Sequence, residues 1–312
     1  MLSVIIPTYN GEGFIATALD SVSGQETDGL EIIVIDDGST DRTVDIINDF
    51  SKRFPIRLIT PGRVGNWVAV SNIGLRAASG DWACFLHQDD FWLPGRIARL
   101  RREMENAKGE LVVHDALFVG PGGEELGPWT CPLPEGDVPS VTFTERLLIQ
   151  NFIAIPSPVF RRRSVIDFGG LDESLWYAAD WDLWLRLGGL GPVRFVKETL
   201  CAFRIHKQSQ TMARKLLPNE WEDQLTTVFD RHLENGPFAE SFSESLGRVA
   251  KASIAVNAAL AAASRGEPVK ASSTLVELMA LGPAGWHRYL RDSRIAQRVR
   301  SRLKLQRLTQ KK

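Results

Sequence analysis

Apolar residues in the first part of the chain follow two different spacings. Short continuous apolar runs, typical of buried strands, occur at residues 2–6, 31–35, 56–59 and 82–86. Between these runs, apolar residues recur every three or four positions, as expected for helices over residues 14–22, 44–50, 67–77 and 94–104. Pro94 suits the first turn of the last of these helices. This alternation predicts an α/β fold with a mainly parallel sheet and helices on both faces.

The alternation is weaker in the second part of the chain. Residues 120–139 contain five prolines and five glycines, which predicts a surface loop, suited to an active-site flap. The patterns that follow predict strands at 153–160, 193–196 and 201–205, and a helix at 180–187. From about Pro218 onward the pattern is helical. We therefore predict two parts, an α/β domain over residues 1–215 and a helical C-terminal extension over residues 216–312.

Composition limits the classes of function. Hydrophobic residues at 44%, charged residues at 24% and a net charge of −1 describe an ordinary globular protein without bulk attraction to nucleic acid. Three widely spaced cysteines, Cys84, Cys131 and Cys201, argue against a disulfide framework and a thiolate zinc site. The N-terminus has no basic region, its apolar run stops at Pro7, and no uninterrupted apolar stretch approaches the ~20 residues that span a bilayer. We expect a cytoplasmic protein.

Polar clusters follow three of the predicted strands. In open α/β sheets, ligands bind outside the carboxyl ends of the strands, where these clusters lie. Each cluster alone is also explained as a turn or a helix cap. Asp89 and Asp90, however, offer two hard oxygen ligands suited to Mg²⁺ or Mn²⁺. Convergence of all three on one sheet edge favours a ligand site; they are residues 7–10, 36–41 and 87–90.

Four motifs in register resemble those of the family 2 glycosyltransferases. They are Val-Ile-Ile-Pro-Thr-Tyr-Asn at 4–10, Ile-Asp-Asp-Gly-Ser-Thr-Asp at 35–41, Phe-Leu-His-Gln-Asp-Asp at 85–90 and Asp-Trp-Asp-Leu-Trp-Leu-Arg at 180–186. Segments 169–173 and 203–206 join the match, which spans about residues 2–206. The resemblance implies a GT-A fold over residues 1–215, a nucleotide-sugar donor, a divalent metal and inversion at the anomeric carbon.

The same resemblance implies a donor site. It assigns the base and ribose of the donor to Pro7, Tyr9 and Asp37, with further contacts from Glu12, Asn66 and Gln88. Asp37 would accept a hydrogen bond from the base, which favours a uridine or deoxythymidine donor over guanosine. Packing of Tyr9 across a strand–helix corner is the alternative interpretation.

Asp89 matches the last carboxylate of the Asp-x-Asp motif of the family, which implies that it binds Mn²⁺ or Mg²⁺. Such an ion neutralises the charge that develops on the departing nucleoside diphosphate. His87 stands where the first carboxylate is usual, and an imidazole can bind Mn²⁺ or contact the sugar. His206 matches a late histidine that many GT-A enzymes bring to the metal or the phosphates. A purely structural histidine is the alternative.

Asp180 matches the general base that deprotonates the acceptor hydroxyl. The alternative role is the N-cap of the helix that follows, and both roles are compatible. Ala179 precedes it where the family often has glutamate. Trp176 and Trp181 flank the base, and their aromatic faces suit the apolar faces of an acceptor sugar, although packing in the core is equally open for such residues.

The C-terminal segment is strongly basic. Residues 288–312 contain ten lysines and arginines against one acidic residue, with a narrow apolar stripe. Such a helix suits either the anionic inner face of a membrane, near a lipid-linked glycan acceptor, or plain solvation. A non-catalytic nucleotide-sugar binding or scaffolding protein is the alternative to an enzyme. A nucleotidyltransferase or dinucleotide-dependent oxidoreductase is disfavoured, because the chain has neither G-x-G-x-x-G at its first turn nor a P-loop.

Overall fold

The computed structural model of the chain describes residues 1–206, 220–234, 236–265 and 271–309. The first part alternates strands and helices as the apolar spacing predicts. Its strands are β1 (Leu2–Thr8), β2 (Leu30–Asp36), β3 (Ile56–Ile59) and β4 (Trp82–Phe85). Its helices are α1 (Ile15–Ser23), α2 (Thr43–Ser51), α3 (Trp67–Ala77) and α4 (Arg96–Asn106).

The second part contributes shorter strands and the helix that carries the predicted base. The strands are β5 (Phe91–Trp92), β6 (Leu111–Val119), β7 (Glu125–Trp129), β8 (Gly136–Val138), β9 (Val159–Arg161) and β10 (Val193–Arg204). The helices are α5 (Ser140–Ile149), α6 (Arg162–Asp167) and α7 (Ala179–Gly189). After residue 219 the described elements are α8 (Glu220–Glu234), a 3₁₀ turn (Ala239–Ser241), α9 (Glu244–Arg265), α10 (Ala271–Met279), α11 (Gly282–Ser293) and α12 (Ile295–Thr309).

All ten strands of the described residues form one sheet. Its order is β3-β2-β1-β4-β9-β6-β10-β5, with β7 paired to β6 and β8 paired to β10. Strands β1 to β4 pair in parallel, as predicted. The rest is mixed, since β10 runs parallel to β6 while β5, β7, β8 and β9 pair in the antiparallel direction. The prediction of a mainly parallel sheet therefore holds for one half of the sheet only.

Three predicted segments differ from the structure. Residues 120–139 are not one loop, because β7 and β8 lie within them; Pro128 is tolerated because β7 is an edge strand. Most of 153–160 is not a strand, since Pro156 and Pro158 lack the N–H groups that a ladder needs. The two strands predicted at 193–196 and 201–205 are one strand, β10, with register shifts between them.

Alternating side chains on β1 build a core on each face of the sheet. Val4 and Ile6 pack with apolar residues of α1, α2 and α4, whereas Ile5 packs on the other face with α3, α5 and α7. Each of these three side chains is fully buried. Period-two alternation along a strand thus covers both faces with helices, which leaves the strand ends as the open edge.

The helical C-terminal region shares the second of these cores. Leu225, Val228 and Phe229 of α8, together with Val249 of α9 and Tyr289 of α11, belong to the same buried cluster as α5 and α7. The predicted boundary at residues 215 and 216 lies outside the described residues. One described helix segment, Glu244–Ala263, could span a membrane by length and composition alone. This is weak support for a membrane span, because a packed core helix passes the same test, and 39% of the segment's apolar window is buried.

Candidate active site

Tyr9 and Asp37 follow the ends of the neighbouring parallel strands β1 and β2, and a third residue joins them. The Arg63 guanidinium lies 3.7 Å from the centroid of the Tyr9 ring and forms an ion pair with the Asp37 carboxylate. Asp37 is only 4% exposed and also accepts from the backbone N–H groups of Val64 (2.5 Å) and Gly65 (3.0 Å). The loop before α3 therefore covers the pocket that the sequence assigns to the nucleotide base.

Three other residues that the sequence assigns to the nucleotide-sugar site lie at the same edge of the sheet, and each contacts other parts of the protein. Pro7 is buried within β1. The Glu12 carboxylate accepts from the backbone N–H of Arg42 (3.1 Å), at the start of α2. Asn66 is the N-cap of α3, since its Oδ1 accepts from Val68 N (3.0 Å). Contact of these residues with a donor stays a prediction.

Gln88 holds the ends of β1 and β4 together. Its Oε1 accepts from Thr8 Oγ1 (2.5 Å) and Tyr9 N (2.8 Å), and its Nε2 donates to the Tyr9 carbonyl (3.0 Å). A Cβ at position 11 would overlap the Gln88 amide, so a larger residue there would displace Gln88 from these hydrogen bonds. Gln88 thus fixes the backbone that carries Tyr9, and its predicted contact with the donor stays a prediction.

His87, Asp89 and Asp90 form a cluster suited to a metal ion. One ligand atom from each lies within 4.8 Å of the others. His87 Nε2 and Asp90 Oδ2 are buried, and neither has a hydrogen-bond partner in the part of the chain that the structure describes. Buried polar atoms normally have partners, so two without any, beside a third ligand, fit a bound cation. A mixed nitrogen and oxygen set suits Mn²⁺ better than Ca²⁺.

The pKa values of the two neighbouring carboxylates of this cluster are shifted in opposite directions. Burial and the nearby Asp89 carboxylate raise the pKa of Asp90 well above its usual range. Burial acts in the same direction on Asp89, but the hydrogen bond from His206 and the adjacent imidazoles hold the pKa of Asp89 below its ordinary value. The lowered pKa of Asp89 favours its anionic form, which binds cations. A cation at this position would also favour the anionic form of Asp90, which burial disfavours.

His206 follows the end of β10 and orients Asp89. Its Nε2 lies 2.8 Å from Asp89 Oδ2, and its ring packs against Phe14 with centroids 4.4 Å apart. Arg204, at the last position of β10, donates from Nε to the Asp89 carbonyl (2.8 Å), and its backbone N–H donates to Asp90 Oδ1 (2.9 Å). His206 and Arg204 thereby hold the acidic turn in place, the arrangement expected around metal ligands.

Asp180 lies in the first turn of α7, on a separate part of the site. Helix α7 starts at Ala179 and its N-cap is Ala178, so Asp180 is not the cap. Its Oδ1 accepts from Trp181 N (2.7 Å) and its Oδ2 accepts from Asn151 Nδ2 (3.1 Å). Burial raises the pKa of Asp180 to about 6, against the opposing effect of these two hydrogen bonds. This value suits a group that exchanges a proton near neutral pH.

Both tryptophans predicted to contact the acceptor are buried. Trp176 is 5% exposed and donates from Nε1 to Glu220 of α8 (2.6 Å). Trp181 is 3% exposed and donates from Nε1 to the Leu147 carbonyl (2.8 Å). Their rings pack within the protein, so any contribution to acceptor binding stays a prediction.

The sequence did not single out Arg63, Asn151 or Arg204. Arg63 lies in a glycine-flanked loop without a local pattern that marks a site, and Arg204 lies in the 203–206 segment, from which the resemblance assigned a role to His206 alone. Asn151 lies 29 positions from the aspartate to which it donates. No spacing rule connects residues that far apart, so only packing reveals the contact.

The family is decided by the extent of the match. The Glycosyl transferase family 2 profile matches residues 3–168, more than half of the chain. The chain belongs to glycosyl transferase family 2. The matched region contains the Tyr9, Asp37 and Asp89 positions, whereas Asp180 and His206 lie beyond it. The motif resemblance noted in the sequence is thereby confirmed at the level of the family.

Two bacterial proteins, each described as an uncharacterised glycosyltransferase, are similar to this chain in sequence. The chain is 29% identical over 191 residues to an uncharacterised glycosyltransferase of Haemophilus influenzae, covering 60% of this chain and 62% of that one. It is 27% identical over 227 residues to one of Rickettsia typhi, covering 68% of this chain and 66% of that one. The chain thus spans slightly less than two thirds of the length of these relatives.

Two solved structures share the fold of this chain. S. aureus TarS residues 1–349 in complex with UDP-GlcNAc superposes with a TM-score of 0.61 at 15% identity, covering 100% of this chain and 92% of TarS 1–349. The mannosyltransferase PcManGT from Pyrobaculum calidifontis, in complex with GDP-Man and Mn²⁺, gives 0.50 at 17% identity, with coverage of 97% and 86%. The family 2 chain therefore has the predicted GT-A fold.

Proposed function

We propose that the protein is an inverting glycosyltransferase that moves a sugar from a nucleoside diphosphate to a hydroxyl of a glycan or a lipid-linked glycan. The observation that carries this proposal is Asp180, a half-buried carboxyl in the first turn of α7 with a pKa of about 6, in a family 2 chain. A carboxylate with this pKa is largely ionised at neutral pH and still basic enough to accept a proton.

In this proposal Asp180 acts as general base in a single displacement. The acceptor oxygen forms a bond to the anomeric carbon while its proton moves to an Asp180 oxygen. The bond between that carbon and the phosphate oxygen breaks on the opposite side, and the nucleoside diphosphate leaves with the electron pair. One displacement inverts the anomeric configuration and needs no covalent intermediate on the enzyme. The hydrogen bonds from Trp181 and Asn151 keep the carboxylate aimed while it accepts the proton.

Asp89, His87 and Asp90 are the residues that would hold a divalent ion, with Mn²⁺ or Mg²⁺ as candidates. Such an ion supplies Lewis-acid stabilisation of the charge on the leaving diphosphate. His206 keeps Asp89 oriented, and His206 as a direct ligand is the alternative arrangement. Arg204 holds the turn of residues 87–90 in place by donating to the Asp89 carbonyl.

The donor base would occupy the pocket of Tyr9 and Asp37. In the structure this pocket is closed by Arg63, which covers the Tyr9 ring and pairs with Asp37. A uracil or thymine that stacks on Tyr9 and donates to Asp37 has to displace the guanidinium, which then becomes available to the donor phosphates. We therefore propose UDP or dTDP in preference to GDP as the carrier of the sugar.

The acceptor and the location of the protein are also proposals. Exposed cations of α12, Arg300, Arg302 and Lys304, accompany Leu303, which is 50% exposed. Such a surface suits peripheral contact with an anionic membrane from the cytoplasmic side, where lipid-linked acceptors are held. A plainly solvated helix is the alternative.

The decisive test measures donor binding and turnover together. A thermal-shift panel of UDP-, dTDP- and GDP-sugars, with and without Mn²⁺, should give stabilisation that depends on the metal, because a ligand at a hundred times its Kd adds about 2.7 kcal/mol. Slow donor hydrolysis, followed as release of nucleoside diphosphate, should fall about 10²- to 10⁴-fold in Asp180→Asn. Asp89→Asn should lose the response to Mn²⁺.

The matched control is Asp20→Asn on the exposed side of α1, which should keep both binding and turnover. Binding without any turnover in the unmodified chain would favour a non-catalytic nucleotide-sugar binding protein, a reading that His87 and Ala179 at usual carboxylate positions keep open. Absence of stabilisation by any nucleotide sugar would contradict the proposal as a whole.

A further inference from the structure

The turn after α5 contacts the proposed base directly. Asn151 Nδ2 donates to Asp180 Oδ2 at 3.1 Å, while Asp180 Oδ1 accepts from the backbone of its own helix at Trp181. Within the described ranges, Asn151 is the only side chain that donates to Asp180. One carboxylate oxygen is thus fixed by α7 and the other by a residue from a different element.

The amide of Asn151 has one orientation only. Its Oδ1 accepts from the backbone N–H of Ile153 (3.2 Å), so Nδ2 is the atom that faces Asp180. The Asn151 carbonyl in turn accepts from Gln150 Nε2 (3.1 Å). Because both the side-chain oxygen and the backbone carbonyl of Asn151 accept hydrogen bonds, its side-chain N–H is held in a fixed direction towards Asp180.

Gln150 connects this turn to the C-terminal helices. It is 8% exposed, and its Oε1 accepts from Ser253 (3.4 Å) and Asn257 (2.9 Å) of α9 and from Arg298 (2.8 Å) of α12. Arg298 also donates to Asn257 Oδ1 (2.6 Å), so α9 and α12 are tied to each other at the same point.

Helix α12 is in turn attached to the sheet. Gln297 and Thr130 exchange hydrogen bonds of 2.9 and 3.2 Å just after β7, and Arg294 donates to the Cys131 carbonyl (3.4 Å). The contact of Arg298 with Gln150 is therefore made by a helix with its own fixed position. Rigid support of this kind is what a precisely oriented catalytic group requires.

The charged and titratable groups around Asp180 are few. Tyr177 precedes it, and Arg298 and Arg302 of α12 lie within electrostatic range of Tyr177. The described partners of Arg298 are neutral amides, so its charge is not cancelled by a carboxylate. Burial and the nearby Asp180 carboxylate raise the pKa of Tyr177, and the two arginines act against them. The pKa of Asp180 itself is set by burial and by the opposing hydrogen bonds from Trp181 and Asn151.

We propose that Asn151 is a positioning residue for the base Asp180, and that α9 and α12 of the C-terminal region hold it through Gln150. This inference rests on the proposed role of Asp180. The helical C-terminal region would then contribute to the orientation of the base, since Asn257 and Arg298 hold Gln150, next to the residue that donates to Asp180.

The first experiment removes the hydrogen bond that Asn151 donates to Asp180. Asn151→Ala and the isosteric Asn151→Asp should lower kcat about 10-fold or more. The KM for the nucleotide sugar should change less than twofold, because the pocket proposed for the nucleotide is not altered. The midpoint of the acid limb of the rate profile should move to higher pH in both variants, and further in Asn151→Asp, where two carboxylates compete for one proton. Asn48→Ala, on the exposed side of α2, is the matched control.

The second experiment tests the connection to α12. Arg298→Met should lower kcat in the same direction as Asn151→Ala, and the double variant should lose less than the product of the two single effects, because both act through one network. Arg102→Met, on the exposed side of α4, is the control for loss of an arginine, and Asn257→Ala tests the same network from α9. Multiplicative losses with a raised KM for the acceptor would instead assign Arg298 to acceptor binding and overturn this part.

A third measurement does not depend on turnover. The ¹³C carboxyl signal of Asp180, assigned by its loss in Asp180→Asn, should titrate near pH 6 in the unmodified chain and at higher pH in Asn151→Ala. An unchanged or lower titration midpoint would overturn the inference, even if no donor is found. A raised midpoint in a chain that transfers no sugar would support the contact and contradict the proposed function alone.

Discussion

Neighbours, rather than residue type, set the state of each carboxylate at the site. Burial acts on Asp89, Asp90 and Asp180 in the same direction, towards the neutral form. His206 and the adjacent imidazoles hold the pKa of Asp89 below its ordinary value, whereas the neighbouring Asp89 carboxylate adds to the effect of burial on Asp90. Two hydrogen-bond donors oppose the effect of burial on Asp180. In the proposed mechanism the anionic metal ligand and the proton acceptor are both aspartates, and their surroundings give them different roles.

At the residue scale, the pKa of Asp180 predicts the pH dependence of transfer. If Asp180 is the proposed base, it works as the carboxylate, so the rate should rise with pH through about 6 and level off above it. The measurement is kcat/KM from pH 4.5 to 8.5. The residual activity of Asp180→Asn should lack this limb; a limb that persists in that variant would assign the titration to another group.

The same pKa has a consequence for stability. The folded chain holds the Asp180 proton more tightly than the unfolded chain, whose ordinary pKa is 3.8. The contribution of this carboxyl to stability is therefore fully present below about pH 4 and is lost as pH rises through about 6. Asp180→Asn should consequently raise Tm relative to the unmodified chain more at pH 8 than at pH 4.

At the scale of elements, Asp182 joins α7 to α8. Asp182 is fully buried and receives Arg186 (2.8 Å) from its own helix and Arg231 and His232 (both 2.9 Å) from α8. Burial would raise the pKa of Asp182, but these partners hold it below its ordinary value. The helix that carries the proposed base is thus anchored two residues from Asp180 by a charged network.

Removal of Asp182 should be strongly destabilising. Asp182→Ala leaves two arginines and a buried histidine without their shared partner, and such losses cost about 3–5 kcal/mol. Urea unfolding at pH 7 measures the change in the free energy of unfolding. The control Asp20→Ala, at an exposed position of α1, should change that free energy by no more than about 0.5 kcal/mol. Because the folded pKa is lowered, the stabilisation by Asp182 is present above its ordinary pKa of 3.8 and is lost as pH falls through the lowered value. A cost below 1 kcal/mol at pH 7 would contradict this role.

At the scale of the whole molecule, the sheet and the C-terminal helices share one core. Apolar residues of α8, α9 and α11 pack in the same cluster as α5 and α7. Polar contacts run across the same boundary, from Glu220 to Trp176 and from Arg288 to Glu145. The proposed division into residues 1–215 and 216–312 therefore describes two patterns of secondary structure that depend on each other for burial.

This dependence predicts the result of truncation. A chain that ends at residue 215 exposes the apolar faces of α5 and α7, so it should bind a hydrophobic dye and lose cooperative thermal unfolding. Calorimetry and dye fluorescence measure both effects, with a chain that ends at Thr309 as the control. A sharp transition and no dye binding in the shorter chain would mean that the sheet domain folds independently.

Much of the fold and part of the site could be predicted from sequence because their signals are local. The spacing of apolar residues specifies β1 to β4 and α1 to α4, since a strand and a helix bury different sequence periods. Polar residues directly after those strands mark the open edge, and the prolines at 156 and 158 explain why a predicted strand is absent. Local order along the chain carries this information without any knowledge of packing.

Only the tertiary structure decided which side chains meet. Arg298 reaches Gln150 across 148 positions of the chain, and His206 reaches Asp89 across 117. The same packing placed Arg63 over Tyr9 and made several of the strand pairs in the second half of the sheet antiparallel. The sequence by itself determined the family, the periodic elements and the edge where the site lies. Distant partners were decided by folding, because their meeting depends on how layers pack and on which buried polar groups must be satisfied.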